Sequence, residues 1–234
     1  MVTSETFDLR GISVHIGMPV APKTGLSPKT AVSLCSTVER LTKAQIDFSM
    51  AMEVSGIVTV CRDMVLDDFL QSDKQKLFWL DSDMVWTADD FMRLLALSTK
   101  HDCIACAYPA KVEGPETFYV NYDPANMGLN QYNLMPIKGV GLGFTIVDRK
   151  ICEQLAAKAP RMGDQITGRE MASVFRVDIH EGHRRTEDMA FFADIMDLGH
   201  TVWMDPTINL GHIGDRQWNG DVSAALGLKK AEAA

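Results

Sequence analysis

Leu77-Phe78-Trp79-Leu80 is a short, unbroken apolar run that stops abruptly at Asp81-Ser82-Asp83. A strand with one wet face would alternate, so a continuous run of this length marks a central strand covered on both faces by helices. What precedes it agrees. Ile12, Val14, Ile16, Met18 and Val20 alternate with Ser13, His15, Gly17 and Pro19, which predicts a half-buried strand over about 12–18. Ser27-Pro28 then offers an N-cap and a first-turn proline, and Leu34, Val38 and Leu41 recur at helical spacing, predicting a helix over 28–43. Ile46, Phe48, Met50 and Met52 alternate again, and 57–70 reads as mostly helical. Strand, helix, strand, helix, strand implies parallel neighbours with right-handed crossovers, and open sheets of that kind gather ligands beyond the carboxyl ends of their strands. Asp81 and Asp83 stand at such an end.

The chain continues with Thr87-Ala88-Asp89-Asp90, a capping-box pattern before a helix through Phe91, Leu94, Leu95 and Leu97. Cys103 to Ala107 is a further apolar strand, and there the spacing of Cys103 and Cys106 sends the two thiols to opposite faces. Five cysteines at irregular spacing make no disulfide framework, and buried, reduced thiols are expected. Residues 108–136 are rich in Gly, Pro, Asn, Asp and aromatics, a texture of loops and short antiparallel strands. A strand over 143–147, a helix capped by Asp148, a helix opened by Thr186 and ending near Gly199, short strands over 202–204 and 207–210, and a frayed helix over 228–234 complete the reading. The expected fold is one compact α/β domain. The change of texture after Ala107 divides it into a first half, 1–107, and a second, 108–234.

A formal charge of −8 argues against broad adhesion to nucleic acid or anionic membrane, and suits a site that concentrates a divalent cation. No stretch approaches the roughly 20 apolar residues of a membrane span, and Met1 to Glu5 lacks the marks of a signal peptide, so a cytoplasmic protein is expected.

Two carboxylates one residue apart at a strand end can address one hard cation bridging pyrophosphate oxygens, although two acids can also simply solvate a turn. Glu187 and Asp188 open a helix, where the dipole alone would favour acids. His212 lies between Gly211 and Ile213-Gly214 just after a strand, where an imidazole can complete a metal site or merely face solvent. Lys138-Gly139-Val140-Gly141-Leu142-Gly143 lets backbone approach a ligand or makes a tight turn, and Phe144 spoils it as a dinucleotide fingerprint. The donor-rich run His180 to Arg185 is read either as a loop over the ligands or as solvated surface.

The order of these features resembles the nucleotide-sugar glycosyltransferases of the GT-A fold, most like the broad family-two type and its compact bacteriophage-encoded versions, over about 12–214. That resemblance implies a GT-A-like, mostly parallel sheet flanked by helices, and a sugar moved from a nucleotide diphosphate sugar to an acceptor hydroxyl, with inversion. It implies Mn2+ or Mg2+ held by Asp81, Asp83 and His212, and Asp188, beside Glu187, as the base. Pro19, Arg62, Asp81, Ser82, Asp83, Gly141 and Gly143 would hold the donor. The family often has Arg-Asn where this chain has Arg62-Asp63, which sets an unexpected acid near the phosphates. The acceptor is a saccharide or other hydroxyl compound, or a hydroxymethylated base in DNA as the likeness to phage enzymes suggests. A nucleotidyltransferase and a silent sugar-nucleotide-binding module are the competing readings.

Overall fold

The computed structural model describes residues 7–163, 165 and 168–228. The N-terminal residues Met1 to Glu5, and 229–234 of the expected terminal helix, lie outside them. Leu228 is not helical.

The first half runs β1 (Ser13–Val20), α1 (Pro28–Lys43), β2 (Asp47–Val54), α2 (Val58–Gln71), β3 (Lys76–Leu80), β4 (Met84–Val85), α3 (Ala88–Leu97) and β5 (Cys103–Ala105). Ser27 caps α1 by accepting from the Thr30 N–H, and Thr87 and Asp90 close the reciprocal capping box of α3. The second half runs β6 (Met135–Ile137), β7 (Phe144–Asp148), α4 (Arg149–Lys158), β8 (Arg161–Gly163), β9 (Glu170–Ala172), β10 (Asp178–His180), β11 (His183–Arg185), α5 (Glu187–Asp197), β12 (Val202–Met204), β13 (Gly211–Ile213), β14 (Gln217–Asn219) and α6 (Val222–Ala225).

Seven strands form the central sheet in the order β2-β1-β3-β7-β5-β12-β6. β2, β1 and β3 are mutually parallel, as are β5 and β12, and β7 joins the two groups by running antiparallel to both β3 and β5. β6 closes the far edge antiparallel to β12. Five of the seven strands therefore point one way. Small antiparallel sheets are appended: β14-β13-β4, β10-β11 and β8-β9.

Two apolar clusters sandwich the sheet. Leu77 and Trp79 of β3 enter one with α2, α4 and α5, and Phe78 and Leu80 enter the other with α1 and α3. β3 is buried at every position, as its unbroken apolar run requires. Cys103 and Cys106 fall in opposite clusters, as their spacing in a strand dictates.

Three expectations need correction. β1 is buried along all eight residues rather than on one face. Its polar side lies under α2, where Gly17 leaves room for Val65, whose Cγ1 would stand 2.3 Å from any added Cβ, and where His15 Nδ1 meets Ser49 Oγ at 2.8 Å. Residues 207–210 form no strand, because the carboxylate of Asp205 accepts both the backbone N–H and the hydroxyl of Thr207 and turns the chain. The strand forms next along, as β13. The run His180 to Arg185 is a tight hairpin whose two turn residues, Glu181 and Gly182, have φ of 52° and 79°. Neither cavity described below includes any of that hairpin.

Among the described residues no helix is long and apolar enough to cross a membrane.

Candidate active site at the carboxyl end of the third strand

β3 delivers Asp81-Ser82-Asp83 at the sheet's carboxyl edge, and the backbone holds the tripeptide on both sides. The Asp81 N–H donates to the Gly143 carbonyl at 3.0 Å, and the Ser82 carbonyl accepts from the Ser27 N–H at 3.1 Å. Gly143 is required there, since a Cβ would lie 2.5 Å from Asp81 Oδ2. β4 follows at once and pairs with β13, setting His212 opposite Met84, while the Ile213 N–H donates to the Asp83 carbonyl at 2.8 Å. This ladder brings a histidine 129 positions downstream to the acid pair: His212 Nε2 is 3.6 Å from Asp83 Oδ2. The other ring nitrogen donates to the Pro109 carbonyl at 2.9 Å. A carbonyl can only accept, so Nδ1 is the donor there and Nε2 is the ring nitrogen that faces Asp83.

Arg62, on α2, is 3% exposed and joins the acids of both halves. Its guanidinium lies 3.4 Å from Asp81, 3.8 Å from Glu187 and 3.0 Å from Asp188. Asp81 Oδ1 and Asp188 Oδ1 are buried and have no hydrogen-bond partner among the described residues, so these approaches compensate charge without saturating the oxygens. Trp79 and Phe175 carry the guanidinium against their rings at 5.8 and 6.0 Å. Burial disfavours the Arg62 charge, but Asp188 and Asp81 outweigh it and hold the group firmly protonated.

The same burial raises the Asp81 and Asp188 carboxyls above their ordinary value, with Arg62 opposing. Burial also works to raise Asp83, but His212 and Lys111, whose ammonium contacts Oδ2, outweigh it and hold that carboxyl below its ordinary value. Asp63 turns away from the site. It accepts the Val174 and Phe175 N–H groups at 2.9 and 3.0 Å, so although it neighbours Arg62 in sequence it anchors a loop.

Two cavities meet here. One of about 240 Å³ is lined by Pro19, Arg62, Asp81, Ser82 and Asp83 together with Thr24, Ser55, Gly56 and Val58. The second, of about 490 Å³, is lined by Tyr108, Lys111, Tyr119, Gly141, Glu187, Asp188, Met189 and His212. Arg62 with Asp188, and Asp83 with His212, connect the two.

Every site residue expected from the sequence thus lines a cavity, or in the case of Gly143 backs one. Asp81 faces Arg62, however, while Asp83 faces His212. Among the described residues no three His, Cys, Asp or Glu side chains form a ready metal cage. Two residues carried no sequence signal sharp enough to single out. Tyr108 follows an apolar strand, the one hint available, and its ring occupies the space that a Gly141 side chain would need. Lys111 stands alone in an irregular segment.

No protein-family model and no curated protein matches this sequence. Solved structures do. The A197 protein from STIV is 20% identical, with 87% of this chain and 86% of that chain covered at a TM-score of 0.53. The structure of GalNAc-T7 with UDP, GalNAc and Mn2+ is 11% identical over 88% of this chain at a TM-score of 0.50, and this chain spans 45% of it. These are likenesses of fold, and the architecture is the GT-A-like α/β arrangement expected from the sequence.

Proposed function

We propose that the chain is a metal-dependent glycosyltransferase that moves a sugar from a nucleotide diphosphate sugar to an acceptor hydroxyl with inversion. The observation that carries this reading is the position of Asp81-Ser82-Asp83 between two connected cavities, with a buried arginine reaching from Asp81 on one side to Asp188 on the other.

In this reading the donor occupies the smaller cavity. Pro19 and the strand ends around it hold the nucleotide. α2 begins beside that cavity with no side-chain cap on its first N–H groups, which favours an anion there. Arg62 faces the diphosphate, Gly143 lets Asp81 pack close against the backbone, and Gly141 does the same for Tyr108.

The residues fit a hard divalent cation, Mn2+ or Mg2+. Asp81 Oδ1 has no hydrogen-bond partner among the described residues, Asp83 is held ionised, and His212 Nε2 faces Asp83 Oδ2. Four carboxylates against the two cations Arg62 and Lys111 leave a formal surplus of negative charge. With so few protein ligands clustered, the diphosphate would supply part of the coordination. When bound, such a cation neutralises charge developing on the departing diphosphate.

Asp188 then takes the proton of the acceptor hydroxyl in the larger cavity, its basicity increased by burial. Glu187 adds negative charge beside it and Tyr108 orients the acceptor. The acceptor is a saccharide or another small hydroxyl compound.

The test is a panel of nucleotide sugars with Mn2+, Mg2+ or chelator, beginning with UDP-sugars because the GalNAc-T7 structure holds UDP. Donor- and cation-dependent release of nucleoside diphosphate is expected, and Asp83→Ala nearly abolishes it. Full turnover in excess chelator excludes the metal role. Pyrophosphate release in a parallel assay with a nucleoside triphosphate and a sugar 1-phosphate indicates nucleotidyl transfer instead, and tight donor binding without any turnover indicates a silent binding module.

A further inference from the structure

Lys111 places its ammonium on Asp83 Oδ2, the same oxygen that His212 Nε2 faces at 3.6 Å. The approach is built. The lysine stem crosses Gly214, where a Cβ would stand 3.1 Å from Lys111 Cδ, so a side chain at 214 would crowd it. The segment around Lys111 is tied to the β13–β14 hairpin at two points and to the residue that caps α6 at a third. The Pro109 carbonyl accepts from His212, Glu113 pairs with Arg216 at 2.9 Å, and Glu116 accepts the Asp221 N–H at 2.7 Å. Lys111 is only partly exposed and also lines the cavity that holds Glu187 and Asp188.

An ammonium on Asp83 occupies the oxygen that a divalent cation needs, and two cations at ligand distance from one carboxylate repel. One must leave. The lysine can, because its charge rides on a flexible four-carbon stem, and the cavity beside it leads to where a diphosphate would lie. We infer that Lys111 is an internal counter-ion of Asp83: it holds the acid until a divalent cation displaces it, and it then pairs with the donor's diphosphate. The second step rests on the glycosyltransferase reading, whereas the competition for Asp83 does not.

The experiment titrates Mn2+ alone into wild type, Lys111→Met, Lys111→Arg and Asp83→Asn, following free Mn2+ by electron paramagnetic resonance. Methionine keeps an unbranched stem over Gly214 and deletes the charge. Lys111→Met should bind Mn2+ about fivefold more tightly than wild type, the scale of a partly exposed ion pair. Lys111→Arg should return toward wild type, and Asp83→Asn should lose the site. With Mn2+ saturating, inorganic pyrophosphate should bind Lys111→Met severalfold more weakly by calorimetry. These opposite signs separate a counter-ion from a lysine that merely props the loop, whose loss would weaken both. If wild type binds Mn2+ through Asp83 and Lys111→Met binds it no more tightly, the inference is overturned and the metal-dependent reading stands. Tighter Mn2+ with undiminished pyrophosphate binding overturns the second step, no binding of Mn2+ alone by any variant overturns the inference, and no Mn2+ binding even with a nucleoside diphosphate present overturns the metal role as well.

Discussion

Arg62 is one buried cation among three carboxylates, and that imbalance governs what Asp188 can do. Burying a charge without a partner is costly, so Asp188 depends on Arg62 to remain ionised. Were the pairing complete, Asp188 would be too stabilised to accept a proton. It is not complete: burial raises the carboxyl, Arg62 lowers it, Glu187 raises it again, and the net position lies above the ordinary value. A base must be deprotonated to act, so turnover should rise with pH through that elevated value. Asp188→Asn keeps the shape and leaves Arg62 with Asp81 and Glu187. Turnover is expected to fall by about a hundredfold or more, the acid limb of the kcat profile should disappear, and Mn2+-dependent nucleotide binding should persist. Steady-state kinetics across pH, with a parallel binding titration, checks all three. A donor-binding variant with near-normal turnover would make Asp188 a structural partner of Arg62 and nothing more.

The β4–β13 ladder is what converts two distant motifs into neighbours. Two residues of β4 follow the D-x-D directly, and pairing with β13 sets both His212 and the Ile213 N–H against Asp83. Ile213→Pro removes that N–H, which donates to the Asp83 carbonyl at 2.8 Å, while leaving the seven-stranded sheet and its two apolar clusters untouched. Mn2+ affinity should drop about tenfold with only a modest loss of thermal stability. Retained affinity would mean that the ladder does not set the ligand geometry. The elements that position Asp81, Asp83 and Asp188 were legible because each carries a local signature: an unbroken apolar run for β3 and a helix-start acid pair for α5. The ladder was not legible. β4 has two residues and β13 three, too short for any period, and the run 207–210 looked more strand-like than β13 until Asp205 turned the chain. Lys111 was invisible for a related reason, since its meaning comes from a loop docked on that same hairpin. The contact of Arg62 with Asp188 was not legible either, because no local spacing links α2 to α5 and the family likeness implied only that Arg62 lies near the diphosphate.

Packing helices on both faces of one sheet buries titratable groups that a one-sided sheet would leave wet, and this makes the stability of the entire domain depend on pH. His15 under α2 is lowered to about 4, chiefly by burial. Asp63 is raised to about 6 by burial, and Glu53, at the end of β2, to about 7 by burial and then by Asp68, with Arg169 at 3.2 Å opposing. For the two acids the folded state binds the proton more tightly than the unfolded chain does. Their contribution is therefore fully present below the unfolded values, 3.8 for Asp63 and 4.5 for Glu53, and is lost as pH rises through about 6 and about 7. His15 has the opposite sign: its folded value is depressed, so stability is lost as pH falls from 6.5 toward about 4. The acids and the histidine offset one another in the middle of this range, and Glu53 extends furthest toward neutrality. Glu53→Gln removes that contribution without stranding Arg169, which keeps Asp67 and Asp68 at 2.8 and 2.7 Å. The variant should melt about 2 °C above wild type at pH 8, a small shift because Glu53 is partly screened by solvent, and the advantage should vanish near pH 4.5. Melting curves of both proteins at pH 4.5, 6.5 and 8 decide it. A difference that stays constant across the three would mean that the Glu53 carboxyl titrates at its ordinary value, and that the acidic cluster on α2 does not hold its proton.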